Sequence, residues 1–239
     1  MLSNLRSENY RLRTYHIFHG IPQKDYNTIV TSGVTHTYKK GEVIFREGGI
    51  PTGIFFINQG WVKKYTLTHK GAEQIFYICG EGEMLGYHAL LGENLYPDSA
   101  ATIADSKITF IPKEAFLKVI HHSALLSNRL LKALGREFTL SISSMTHLAT
   151  KTVKERLAIN LLILDEKYSI VSKVDHPEIM MSRADFASLI GTAKETLVRL
   201  LQEFAQAGMI EKTNRSVRVV NRKKLVKVTN LLELGNSST

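Results

Sequence analysis

Apolar and polar positions follow three rhythms along the chain. Between Glu42 and Pro112, short β-type runs follow one another: EVIF (42–45), GIFFI (53–57), WVKKYTL (61–67), EQIFYI (73–78), SAATIA (99–104) and ITFIP (108–112). Glycines punctuate them, and eleven of the sixteen in the chain fall between Gly33 and Gly92. Strands this closely spaced, divided by glycine-containing turns, predict an antiparallel sandwich or barrel. Ahead of them, PQKDYNTIVTS (22–32) has a proline near its start and predicts a short helix.

From Ala124 to Thr150 the period lengthens. Leu131, Leu134, Phe138, Ser141, Met145 and Leu148 step by three and four residues, a heptad seam with one polar member. As one helix this stretch would run for roughly 40 Å, with His121 and His122 expected at its start. A helix of that length either packs on its own β-domain or meets a partner helix. A second copy of the chain is the obvious candidate, which makes Leu131, Leu134, Phe138, Met145 and Leu148 the expected dimer interface. The signal restarts at Thr152-Val-Lys-Glu155, a capping box in which hydroxyl and carboxylate satisfy orphan N–H groups. The helix it opens should end near Tyr168.

A third rhythm occupies MSRADFASLIGTAKETLVRLLQEFAQA (181–207). Ser182-x-x-Asp185 opens a helix carrying Phe186, Leu189 and Ile190, and Gly191 stops it. Thr192-x-x-Glu195 reads as a second capping box, before a helix with apolar Leu197, Leu200, Leu201 and Phe204. Two helices joined by a short glycine-containing turn make a helix-turn-helix. Its second helix presents Lys194, Glu195, Val198 and Arg199 near the N-terminus, where a recognition helix meets base edges. The following GMIEKTNRSVRVVN (208–221) predicts a hairpin with a basic tip at Lys212, Asn214 and Arg215. An ordinary helical hairpin with solvated charges is the plainer alternative, but the caps, the glycine and the basic hairpin agree on double-stranded DNA as the partner.

Charge sharpens this picture. The 239 residues carry a formal charge of +9, with a pI near 9.5, and residues 151–239 hold 15 Lys and Arg against 10 Asp and Glu. A basic balance favours polyanions, although a solvated basic face looks the same. The single cysteine, Cys79, lies in the apolar run IFYIC and excludes both a disulfide framework and an all-cysteine iron–sulfur cluster within one chain. The polar start MLSNLRSENYRLR lacks the apolar core of a signal peptide. LAINLLIL (157–164) is too short to span a bilayer. A cytoplasmic protein without membrane contact is expected. Neither His-x-His nor Gly-x-Ser-x-Gly occurs, so a cupin-type metal enzyme and a serine hydrolase lack their motifs. No enzyme activity and no metal site are expected.

The order of β-domain, long helix and winged helix resembles the family of the catabolite activator protein and the fumarate–nitrate reduction regulator. IGTAKETLVRLLQEF is similar to that family's turn and recognition helix, and KKGEVIFREGGIPTGIFFINQGWVKKY (39–65) to its β-roll. The resemblance covers about residues 15–222. It implies an α+β fold: a β-roll effector domain over 1–122, a dimerisation helix over 123–150 and a winged helix-turn-helix over 151–239. It further implies a homodimeric transcriptional regulator on palindromic promoter DNA, an RNA polymerase partner, and base contacts from Lys194, Glu195 and Arg199. A sensor dimer that acts through protein contacts, without DNA, is the alternative.

EGEMLGYHALLGENLYPDSAAT (81–102) then falls on the family's cyclic-nucleotide cassette, with Met84, Gly86, Tyr87, His88, Asp98 and Ser99 as candidate pocket residues. The resemblance implies a Gly-Glu pair for the ribose and an Arg-Ser pair for the phosphate. Here those pairs read Gly86-Tyr87 and Asp98-Ser99. A carboxylate ~4 Å from a phosphate, at an effective dielectric near 20, is repelled by about 4 kcal/mol. Cyclic AMP is therefore not the expected ligand, and no cofactor is assigned. The oxygen-sensing branch needs several cysteines, and a lone His88 is a thin basis for haem. Two readings stand: Met84, Tyr87, His88, Leu90, Leu91 and Tyr96 line a site for an unknown neutral or aromatic effector, or the β-roll is filled by its own side chains.

Overall fold

The computed structural model describes residues 17–69 and 71–229. The polar start read above and the GNSST end lie outside the described residues. Two compact units divide between Thr139 and Leu140, inside one continuous helix.

The first unit opens with α1 (Gln23–Ser32) and continues into two antiparallel four-stranded sheets. One sheet has the order β1 (Val34–Tyr38), β8 (Ser106–Pro112), β3 (Gly53–Gln59), β6 (Met84–Leu85). The other runs β2 (Val43–Phe45), β7 (Ser99–Thr102), β4 (Val62–Leu67), β5 (Glu73–Cys79). Phe45, Phe55, Ile57, Val62, Leu85, Ala100 and Ile108 form one buried cluster, as two inner sheet faces require. A second cluster lies where helices cover a sheet: Ile29 of α1, Phe116 and Val119 of α3 (Lys113–His122), and Leu126, Leu130 and Ala133 of α4 (Ala124–Thr150) close over Ile54, Met84, Tyr87 and Ile111. Gly53 lets β3 and β8 approach closely, since a Cβ there would come within 2.3 Å of the Ile111 carbonyl. Trp61 lies against Gly80, where a Cβ would come within 2.7 Å of the indole.

All six expected strand runs are present. β1 was not expected, because VTHTY is mostly exposed and offers little apolar alternation. The short α2 (Tyr87–Leu91) and α3 also went unread. His121 and His122 do not start the long helix. They end α3, and extended Ser123 breaks the chain before α4 while its Oγ accepts the Leu126 N–H.

In the second unit, α5 (Val153–Ser172) begins on the expected capping box: the Glu155 carboxylate accepts the Thr152 N–H at 2.8 Å and Thr152 Oγ1 accepts the Glu155 N–H. It runs past Tyr168 to Ser172, because nothing stops it until Lys173 adopts the left-handed conformation (φ 57°). Then come β9 (Glu178–Met180), α6 (Arg183–Ile190), α7 (Lys194–Gln206), β10 (Ile210–Lys212), β11 (Ser216–Val219) and α8 (Arg222–Val228). The three strands form one antiparallel sheet in the order β10-β11-β9. Leu157, Leu161, Phe186, Leu197, Leu201, Phe204, Val217 and Leu225 are buried.

Candidate DNA interface and effector cassette

The helix-turn-helix is built from local signals. Ser182 caps α6 by accepting the Asp185 N–H at 3.0 Å. Gly191 ends it at φ 64°, a left-handed position that favours glycine. The second cap differs from expectation: the N-cap of α7 is Ala193, with no side-chain bond. Thr192 is consumed by the turn, donating its N–H to the Ala187 carbonyl at 3.0 Å. Glu195 is thus not held back against the helix end.

α7 is strongly two-faced. Leu197, Leu200, Leu201 and Phe204 are buried, while Lys194, Glu195, Val198 and Arg199 are exposed and line one open groove with Gln202 and Gln206. Lys194, Glu195 and Arg199 make no hydrogen bond or ion pair among the described residues. Their donors and acceptors are therefore available to a ligand, and a guanidinium so placed can offer two parallel N–H groups. Lys212, Asn214 and Arg215 stand exposed at the hairpin tip between β10 and β11.

Two arginines that the sequence pattern did not single out hold this surface in place. Arg183 donates to the carbonyl of Thr213, at 2.5 Å, and to that of Ser216, tying the hairpin turn to the start of α6. Arg156 donates to the carbonyls of Ile190 (2.7 Å), Gly191 (3.1 Å) and Lys151 (2.7 Å). These are orphan carbonyls at helix ends, which need donors. An arginine at the start of the largely apolar run ERLAINLLIL was the available signal.

The cassette side chains are shared between the two cores. Met84, Tyr87 and Leu90 belong to the helix-side core, while Tyr96 belongs to the inter-sheet core and stacks on Phe45 at 4.1 Å. Gly86 (φ 78°) caps α2 closely against the Tyr96 ring. Ser99 Oγ accepts the Glu47 N–H at 2.9 Å. Met84, Tyr87, Leu90, Tyr96 and Ser99 are all buried.

Asp98 requires a correction. Its carboxylate does not stand as an isolated repulsive charge, because Lys64 Nζ lies 3.2 Å away and His88 Nε2 3.4 Å. Lys64 is 4% exposed and also bonds Glu137 of α4, at 2.5 Å. His88 Nδ1 stands 3.7 Å from Glu137. Burial alone would lower the Lys64 pKa, but the Glu137 and Asp98 carboxylates outweigh it and hold the ammonium above its ordinary value. Burial would raise Asp98 and Glu137; His88 and Lys64 on Asp98, and Lys64 and His88 on Glu137, hold both carboxyls below theirs. Lys64 escaped the sequence reading, yet two adjacent lysines in a strand must face opposite ways. At the register shift between Lys64 and Tyr65, Lys64 and Tyr65 are both buried.

Along α4, Leu126, Leu130 and Ala133 are buried, whereas Leu131, Phe138 and Met145 are 66, 68 and 69% exposed. Leu148 and Ile142 are also exposed, and Leu134 packs partly against its own β-domain. Among the described residues no helix is long and apolar enough to cross a membrane.

Comparison with known proteins agrees with this architecture. Residues 35–123 match the model of the cyclic nucleotide-binding domain, and residues 155–228 that of the Crp-like helix-turn-helix domain. The transcriptional activator protein FnrA of Stutzerimonas stutzeri is 28% identical over 184 residues, covering 77% of this chain and 75% of that protein. The cyclic AMP receptor protein of Thermus thermophilus is 24% identical over 195 residues, covering 81% and 87%. Among solved structures, FixK2 of Bradyrhizobium japonicum superposes with a TM-score of 0.72 at 22% identity, over 82% of this chain and 96% of that one. With both domain types matched in order, the chain belongs to the CRP/FNR family of transcriptional regulators, with a helix-turn-helix DNA-binding domain.

Proposed function

We propose that the chain acts as a homodimer on an inverted-repeat promoter site, in the cytoplasm and in concert with RNA polymerase. In this reading residues 1–122 form the sensing domain, 123–150 the dimerisation helix and 151–239 the DNA-binding domain. The observation that carries it is the exposed face of α7, with Lys194, Glu195, Val198 and Arg199 uncommitted at its N-terminal end. Two such helices related by a two-fold would enter successive major grooves ~34 Å apart. The seam on α4 suits an identical helix, because Leu131, Phe138 and Met145 recur every seven residues. Arg199 reads a guanine through O6 and N7, Glu195 accepts from a cytosine amine, and Lys194, without a bidentate fork, selects less sharply. Lys212 and Arg215 meet phosphates. The β-roll answers to a signal other than cyclic AMP.

A binding-site selection with the full chain tests this. The parent should enrich an inverted repeat. Arg199→Ala should erase preference at one guanine per half-site, about 1–3 kcal/mol of discrimination, whereas Arg215→Ala should weaken all sequences alike. A selection that enriches no motif favours a sensor acting through protein contacts.

A further inference from the structure

The buried charges of the cassette do not all belong to the β-roll. Lys64 comes from β4, Asp98 from just before β7, His88 from α2, and Glu137 from α4, the helix that carries the exposed seam. Leu126, Leu130, Ala133 and Glu137 step by four, three and four, so Glu137 is the next position of the stripe that α4 lays on its own β-domain. The three apolar members of that stripe are held by non-directional packing. The fourth is held by a directed bond to a buried ammonium. Phe138, the next residue, points about 100° around the helix and is exposed.

We propose that Glu137 is a positioning residue: gripped by Lys64 and flanked by His88, it fixes the rotation of α4, and so presents Phe138 and Met145 to a second copy of the chain. The β-roll thereby sets the two-chain seam through its own lysine, with no added ligand. Packing alone tolerates small rotations of a helix, whereas the Lys64–Glu137 bond ties one face of α4 to β4. Without it the β-domain would hold this side of α4 by the packing of Leu126, Leu130, Ala133 and, in part, Leu134, and the turn bearing Phe138 would lose its directed tie to Lys64.

The proposal rests on the homodimer reading above, and its test separates the two. Parent, Lys64→Arg, Glu137→Ala and Phe138→Glu chains of full length are compared by sedimentation over a concentration series, with amide exchange read across residues 134–142. Glu137→Ala removes both the charge and the acceptor oxygen and leaves Lys64 balanced one to one by Asp98, so the chain should stay folded. Its dimer dissociation constant should rise about tenfold and exchange over 134–142 should quicken by about tenfold. Lys64→Arg keeps the charge and a donor for Glu137, in a bulkier planar group, and should weaken the dimer less than Glu137→Ala. Glu137→Ala with parent-like dimerisation or parent-like exchange overturns the proposal. A failed dimer reading looks different: the parent itself would sediment as a monomer, indistinguishable from Phe138→Glu.

Discussion

Arg156 Nε donates to the carbonyl of Ile190 at 2.7 Å, joining the first turns of α5 to the last residue of α6. The same guanidinium reaches Gly191 and Lys151, so it ties the turn of the helix-turn-helix to the residue that precedes the N-cap of α5. Hydrogen bonds from a charged donor contribute about 1.5–3 kcal/mol each, and lost ones leave half-buried carbonyls unpaired. Arg156→Ala should therefore lower the stability of the second unit by about 3 kcal/mol. DNA affinity should fall although no base contact is removed. Arg156→Lys should rescue little, since an ammonium lacks the planar fork. Chemical denaturation alongside a DNA titration checks both, and a fully active lysine variant would contradict the geometry.

Phe138→Glu with Met145→Glu should convert dimers to monomers. Both side chains are more than two-thirds exposed, so charges there cost the isolated chain little. Leu134 is a poorer probe, because it packs partly on its own β-domain. The parent's melting temperature should rise with protein concentration, as expected for coupled folding and association, while the variant's should not. Light scattering that still finds a dimer would move the interface elsewhere.

Acid should loosen the first unit. Asp98 and Glu137 have folded pKa values below their ordinary 3.8 and 4.5. Their contribution to stability is fully present above those ordinary values and is lost as pH falls through the lowered ones. Lys64, raised above its ordinary 10.5, contributes fully below that value. The cluster is thus fully formed across the neutral range. Asp165 has the opposite sign: burial raises its carboxyl despite Arg222, so this group gains relative stability as pH falls. A melting series from neutral to acid should show the parent losing stability more steeply than Glu137→Gln. Parallel curves would mean that the cluster does not titrate with folding.

Cyclic AMP should find no site. Gly86-Tyr87 supplies no ribose carboxylate, Ser99 is committed to the Glu47 N–H, and Lys64 is already held by two carboxylates. Asp98→Arg should not restore binding. It would set a second buried cation beside Lys64 and destabilise the fold. Calorimetry reporting a micromolar dissociation constant for cyclic AMP or cyclic GMP would refute this.

Local signals carried most of the fold. The Thr152 box, the Ser182 cap, Gly191 and the face of α7 each depend on residues a few positions apart, and those readings needed no tertiary knowledge. The Thr192 box failed because a left-handed Gly191 leaves room for one more turn residue than the pattern suggests. The polar β1 is held by pairing with β8 and not by its own apolar side. The Lys64–Glu137 bond joins residues 73 positions apart, beyond any periodicity. Asp98 was misjudged for the same reason: a charge read along the chain says nothing of the counter-charge folded against it.

The contact between Trp61 and Gly80 gives the protein an internal lamp. Trp61 is the only tryptophan in the chain, and it sits nearly buried at the edge of β4, three residues before Lys64. Intrinsic emission excited at the red edge therefore reports from the β-roll, with no background from the second unit. A blue-shifted band that moves red at a lower denaturant concentration than the helical signal would time the opening of one unit against the other. Any substitution at Gly80 would dim or displace that lamp, since the indole already occupies the space a side chain needs.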